Sequence, residues 1–257
     1  MITTVTFPAL VGGYTDQVRS RLDALADMAA AGGLDAAVDL LTRAVEAGAV
    51  IQAFGTGHSE AFAMEIAGRA GGLIPTNKIA LRDVVLRGSR ALDNRGGAAL
   101  ERDPGVVEEL WNISPIGAGD VFVIASNSGV NGSIVGMALL AKQHGHPVIA
   151  VTSLEHTMAV QPKHPSGKRL RDVADVVIDN MAPYGDATLA LDGGVPVGSV
   201  SSITCAFIAQ LLTIGVADRI RASGNVPPLY LSANIPGGDA HNSELERRYE
   251  GRIRRGT

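Results

Sequence analysis

The chain has 257 residues, 46% of them hydrophobic, enough for one well-packed domain or two small ones. A net charge of −4 argues against nucleic acid as the main ligand. The single cysteine, Cys205, excludes an internal disulfide framework, suits a reducing cytoplasm and, lying in an apolar stretch, reads as buried filler rather than a nucleophile.

Residues 1–5 carry no basic leader followed by an apolar run, so no signal peptide is expected. Residues 12–48 read as two helices: Val18, Leu22 and Leu25, then Leu34, Ala37, Leu40, Leu41 and Val45, recur at three- and four-residue spacing, with Ala31-Gly32-Gly33 as the break. Strands are expected at 49–54, 121–125, 147–152 and 174–179. All four are continuous apolar runs, as parallel strands covered on both faces require. Helical patterns at 59–70 and 131–144 lie between them, and alternating strand and helix signals imply a parallel sheet with helices on both sides. The segment 75–120 is less regular: it holds Arg82-Asp83-Val84-Val85-Leu86, the pair Gly96-Gly97 and a helix starting near Pro104. Residues 155–172 read as a polar loop with a Pro-Ser-Gly turn, and a long helix is expected over 197–222, ending at Ser223-Gly224. The longest apolar run, 204–217, is about 14 residues, short of the ~20 that span a bilayer, so a soluble protein is expected. The basic stretch 246–255 reads as a solvated tail or helix end.

Two segments share one pattern. Residues 49–59 end in Gly55-Thr56-Gly57-His58-Ser59, and residues 121–131 in Ser126-Asn127-Ser128-Gly129-Val130-Asn131; each is strand, small hydroxyl-rich turn, helix. Such turns aim backbone N–H groups and hydroxyls at one spot, where the helix dipole favours negative charge. Ser59 is placed to cap its helix. Two such turns at neighbouring strand ends would form an anion cup, most simply for the phosphate of a small metabolite. Dinucleotide binding fits poorly, because Glu60 stands where the third fingerprint glycine belongs and no acidic residue closes a second strand at the usual spacing. Gly167-Lys168 is no P-loop, since Pro162 replaces its first glycine. The six histidines show no metal-ligand spacing beyond His144-x-His146, which reads as a charge complement at a helix C-terminus, so neither metal nor cofactor is expected.

The two turns together resemble the phosphate loops of the SIS (sugar isomerase) domain. Ala150-Val151-Thr152-Ser153, His164-Pro165-Ser166-Gly167-Lys168, Ala174-Asp175-Val176-Val177-Ile178-Asp179, Gly185-Asp186-Ala187, Pro227-Pro228 and Ser232-Ala233-Asn234 extend the likeness to a bacterial branch akin to phosphoheptose isomerase, over nearly the whole chain. The resemblance implies a three-layer α/β/α sandwich with a five-stranded parallel sheet, flavodoxin-like, as one domain over 1–257: N-terminal helices at 12–48, a core at 49–224 and an extension at 225–257. It implies a sugar phosphate as ligand and homodimers or homotetramers sharing active sites; the charge and the short apolar run add the expectation of no nucleic acid and no membrane as partners. Phosphate and substrate contacts would come from Gly55, Thr56, Gly57, Ser59, Ser126, Asn127, Ser128, Gly129, Asn131, Thr152, Ser153, Ser166 and Lys168. Asn131 departs from the threonine or serine that many SIS domains carry there, although Asn can still cap a helix and donate to phosphate.

Holding phosphate is not catalysis. Aldose–ketose isomerisation, and elimination beside a carbonyl, both need a base for a carbon-bound proton. Glu101 resembles the position from which SIS enzymes bring a carboxylate to the sugar and is the expected base, with Arg102 beside it. His58 lies within the first loop as a sugar contact. Glu65 is expected to face a neighbouring subunit's cleft, and His164 lies in a loop that would enclose substrate; both are counted with His58 among the catalytic candidates. Glu60 reads as a dipole complement, and Asp186, His241 and Asn242 as residues that could close over a partner's site. Two functions remain: a cytoplasmic phosphosugar isomerase or lyase, for which N-acetylglucosamine 6-phosphate is a reasonable test ligand, and a non-catalytic phosphosugar sensor acting through a protein. The helices before residue 49 are acidic, unlike a DNA-binding module.

Overall fold

The computed structural model describes residues 6–91, 97–191 and 193–254. The leader reading on residues 1–5, Gly96 of the glycine pair and Arg255 of the basic stretch therefore lie outside the described residues. In chain order the elements are α1 (Phe7–Ala30), α2 (Asp35–Glu46), β1 (Ile51–Gly55), α3 (Glu60–Ile66), β2 (Thr76–Ile79), α4 (Asp83–Leu86), α5 (Gly97–Arg102), α6 (Val106–Ile113), β3 (Val121–Ala125), α7 (Gly132–Gln143), β4 (Val148–Thr152), α8 (Leu154–Ala159), β5 (Val176–Asp179), β6 (Ala187–Ala190), β7 (Pro196–Ser199), α9 (Ser201–Ala222) and α10 (Gly238–Glu246).

Strands β1 to β5 form one parallel sheet in the order β2-β1-β3-β4-β5. Successive side chains of a strand face opposite ways, and β1, β3 and β4 are buried at every position and apolar at all but Gln52 and Thr152, so both faces demand cover. Ile51, Ala53, Val121, Val123, Ile149 and Val151 pack against α1, α2, α3 and α9. Phe54, Phe122, Ile124, Val148 and Ala150 pack against α4, α6 and α7. The result is the expected three-layer sandwich.

Several elements depart from the sequence reading. The helix expected over 59–70 ends at Ile66, because Ala67 is extended and Gly68 has φ 73°. Strands β6 and β7 pair antiparallel, so the long helix starts at Ser201 rather than 197. The stretch read as a loop begins as α8, whose cap is Ser153 Oγ accepting from His156 N at 3.0 Å. Helix α9 is, by length and composition, apolar enough to cross a membrane, which the 14-residue run alone did not suggest. In this fold Thr204, Cys205, Ile208, Ala209, Leu212 and Val216 bury its inner face.

The basic stretch begins at a helix end, as expected, since α10 closes at Glu246, but it does not go on as a solvated tail. Tyr249 is buried, Arg252 Nη2 donates to Asp120 Oδ1 at 2.7 Å, and Arg254 N donates to Asn77 Oδ1 at 2.8 Å. Asp120 has no exposed surface and accepts further hydrogen bonds from Val50 N (2.9 Å), Gln52 Nε2 (2.8 Å) and Gly117 N (2.9 Å). A buried carboxylate is tolerated when donors saturate it in this way. The pair therefore clamps the N-terminal ends of β1 and β3. His146 belongs to the same region: it is buried, its Nδ1 lies 2.9 Å from the Asp120 carbonyl, and its ring packs on Trp111 and Phe122. It is thus no exposed complement to the end of α7.

Candidate functional site

Strand order reverses between β1, whose chain next forms β2, and β3, which leads to β4. In open α/β sheets ligands sit outside the strand C-termini at such a switch point. Here Gly55 pairs with Ala125 across the two strands, so the two hydroxyl-rich turns leave the sheet side by side.

The first turn is tight. Thr56 is extended, Gly57–Ser59 make one 3₁₀ turn, and α3 follows. A Cβ on Gly55 would fall 2.7 Å from the Ser59 carbonyl carbon, so only glycine admits this return of the chain. Ser59 holds the N-cap position, but its side chain makes no capping bond, contrary to the expected cap. Its hydroxyl makes no hydrogen bond among the described residues, and Thr56 Oγ1 is buried without a partner. His58 is exposed.

In the second turn Ser126 Oγ accepts from Gly129 N at 3.1 Å, and Asn127 O accepts from Ser153 N at 3.2 Å and Thr152 Oγ1 at 3.3 Å. Ser128 keeps its hydroxyl free of bonds among the described residues. Asn131 precedes α7 in extended conformation without capping it; instead Nδ2 donates to Glu101 Oε1 at 2.6 Å. That corrects the expected cap.

Glu101 thereby meets both turns. Its Oε2 is 3.6 Å from where a Cβ on Gly57 would lie, and its carbonyl accepts from Ser133 Oγ at 2.8 Å in the first turn of α7. Arg102 is exposed and lacks a partner among the described residues.

Other candidates are held elsewhere. Glu65 is bound by Arg69 and by Gln210 Nε2 of α9 at 2.8 Å. Glu60 is neutralised by Arg82 (2.9 Å) and Lys78 (3.3 Å), so it does more than complement a helix dipole. Ser153 Oγ donates to Ala182 O at 2.6 Å and is fully buried, as is Thr152. The 160–170 segment is pinned to the second turn through Leu170 N to Gly129 O (2.8 Å) and Lys163 N to Val130 O (3.2 Å). Within it His164 Nδ1 accepts from Ser166 N at 3.1 Å and from its hydroxyl at 2.8 Å, and burial pushes the imidazole below its ordinary pKa. Ser166 and Lys168 are exposed there.

Three residues read as closing over a partner's site make bonds inside this chain. Asp186 accepts from Val200 N, Ser201 N and Ser201 Oγ at the start of α9. His241 Nε2 bonds Leu229 O, and Asn242 brackets Leu231 through both side-chain polar atoms. Two groups that sequence reasoning missed support the second turn: Thr157, buried beneath Gly129, and Asn180, whose Nδ2 donates to Asn127 Oδ1 at 3.1 Å. An Asp-Asn pair directly after the apolar run Val176-Val177-Ile178 was the available signal for the latter.

Residues 13–153 match the SIS domain family. A UPF0309 protein of Streptomyces coelicolor is 37% identical over 224 residues, spanning 87% of this chain and 88% of that protein. A UPF0309 protein of Brucella canis is 36% identical over 240 residues, spanning 93% and 96%. Among solved structures, a phosphoheptose isomerase from Francisella tularensis superposes with a TM-score of 0.53 at 17% identity, covering 82% of this chain and 98% of that one, a likeness of fold. The chain belongs to the SIS domain family and, within it, to the UPF0309 proteins.

Proposed function

We propose that the chain is a phosphosugar enzyme in which the turns after β1 and β3 hold the phosphate and Glu101 moves the proton. The observation that carries this reading is the Glu101 carboxylate resting between the two turns, on Asn131 and against Gly57. The free hydroxyls of Ser59 and Ser128 and the buried Thr56 Oγ1 supply donors suited to phosphate oxygens. Gly55, Gly57 and Gly129 keep the backbone close to the ligand, and Ser126, Asn127, Thr152 and Ser153 shape the second turn.

Proton abstraction by the carboxylate from the carbon beside the open-chain carbonyl leaves an enolate, which is an enediolate where that carbon carries a hydroxyl, and places the proton on Glu101. Returning the proton to the neighbouring carbon isomerises the sugar; expelling a β-substituent as water or an alcohol completes an elimination. In this reading His58 serves as a hydroxyl or ring-oxygen contact, and His164, Ser166 and Lys168 enclose the substrate. N-acetylglucosamine 6-phosphate and hexose or heptose phosphates are the substrates to try first; the named activity of the Francisella relative makes the heptose a natural member. We place the protein in the cytoplasm as a homodimer or homotetramer. Exposed Phe7, Val11, Ile203 and Ile214 on α1 and α9 support such association, and Glu65 lies beside α9 where a second subunit could use it.

The test is incubation with these phosphates in heavy water, followed by NMR. Carbon-bound deuterium is expected with wild type and not with Glu101→Gln, which should still bind. A ligand that binds without any exchange makes the protein a sensor instead. Calorimetry on Ser59→Ala and Ser128→Ala should show severely weakened phosphosugar binding; unchanged affinity rejects the cup.

A further inference from the structure

Asn180 follows β5, is fully buried, and adopts an orientation that chemistry alone can assign. The Ala182 backbone N–H lies 3.0 Å from one of its side-chain atoms, and a backbone N–H only donates, so that atom is Oδ1. Its Nδ2 therefore faces Asn127 at 3.1 Å and Cys205 Sγ at 3.4 Å. A donor there requires an acceptor opposite, so Asn127 presents Oδ1 to it and turns its own NH₂ away.

The turn that makes this possible is strained. Met181 has φ 58°, a left-handed conformation unusual for a side chain of its size, and it is held by Asp179 Oδ1 on its N–H (3.0 Å) and Arg21 Nε on its carbonyl (3.0 Å). With the Asn127 carbonyl also fixed by Ser153 and Thr152, the remaining side-chain polar atom of Asn127 is Nδ2. That atom makes no hydrogen bond among the described residues and is absent from the buried unpartnered atoms, so solvent reaches it.

We propose that Asn180 is a positioning residue: it locks the Asn127 amide so that its NH₂ faces the switch-point site as a neutral donor to an oxygen of the phosphosugar. This rests on the phosphosugar reading above and adds the donor's identity and its support.

Asn180→Asp tests it. The aspartate keeps the side chain's shape and can accept from Ala182 N–H and Cys205 S–H, but it sets an oxygen against Asn127 Oδ1. Rotation of the Asn127 amide relieves that clash and turns its oxygen towards the ligand. The side-chain amide resonances of Asn127 should move in the unliganded variant, and affinity for inorganic phosphate and N-acetylglucosamine 6-phosphate should fall about tenfold or more by calorimetry. Asn127→Asp is the second variant: it retains the bond from Asn180, keeps the unfolding midpoint, and loses affinity to a similar extent. Unchanged resonances in Asn180→Asp, or wild-type affinity in Asn127→Asp, overturn the proposal. A wild-type protein that binds neither probe overturns the phosphosugar reading, whereas the resonance shift reports the amide lock separately.

Discussion

Substituting Gly132 by alanine should disable the site without touching any group assigned to the ligand. Gly132 opens α7 where the segment carrying Glu101 crosses it. An added Cβ would lie 2.9 Å from the Arg102 carbonyl carbon and 3.1 Å from Pro104 N. Carbon atoms settle at about 3.5–4.0 Å, so the crossing segment must recede by roughly 0.6–1 Å. The Glu101–Asn131 hydrogen bond, 2.6 Å long, then stretches beyond the ~3.2 Å at which such bonds hold. Overpacking of this kind costs about 1–3 kcal/mol of stability, set against the ~0.5–1 kcal/mol that alanine gains over glycine in a helix. A reacting group displaced by about 1 Å loses on the order of 10²-fold in turnover. The expected pattern is therefore a modest fall in urea midpoint, an approximately hundredfold fall in kcat for whichever phosphosugar the wild type turns over, and phosphate affinity within about twofold of wild type. A stabilised variant with full turnover would refute the close crossing and Glu101's dependence on it.

Asp120→Asn replaces one oxygen of a buried carboxylate by an NH₂ that must oppose two donors. Each orphaned buried donor costs ~1–3 kcal/mol, so a loss of about 3 kcal/mol or more is expected by urea unfolding, with little due to Arg252, whose side chain is 35% exposed. A loss below about 1 kcal/mol would contradict the clamp. His156 accepts the Gly185 N–H on Nδ1, and burial holds its pKa below the ordinary 6.5. The unfolded chain therefore takes up its proton first, so stability is full above pH 6.5 and declines as pH falls through the folded value; His156→Gln should flatten that decline in urea midpoints between pH 7 and 5. Cys205 is buried with its thiol pushed up to about 11, so native protein at pH 8 should react with a maleimide at least about 10²-fold more slowly than urea-unfolded protein, read by mass spectrometry.

The sheet was legible wherever a run of mostly apolar residues marked a strand, which is why β1, β3 and β4, buried along their length, and the edge strand β5 stand close to where their sequences place them. Strand β2, Thr76-Asn77-Lys78-Ile79, carries no such run, because its polar residues are buried through bonds of their own: Thr76 Oγ1 to Leu73 O, and Asn77 to the backbone of Arg252 and Arg254. The pairing of β6 with β7 was masked by Val197 and Val200, which continue the apolar pattern of α9 towards its N-terminus. Both hydroxyl-rich turns were legible because glycine and serine after a strand announce themselves locally. The grip of Asn131 on Glu101 spans 30 residues and that of Asn180 on Asn127 spans 53, and no local pattern encodes either.

The arginine that neutralises Asp120 lies 132 residues further along the chain. During translation the ribosome therefore completes β1, β3 and β4 long before the cation that seals their base emerges. Until then Val50 N, Gln52 Nε2 and Gly117 N are the donors that hold this carboxylate at the bottom of the central strands. Docking of the segment around Arg252 is accordingly a late event in biogenesis, and a chain cut before residue 252 keeps the backbone and amide donors of Asp120 but lacks its cationic partner.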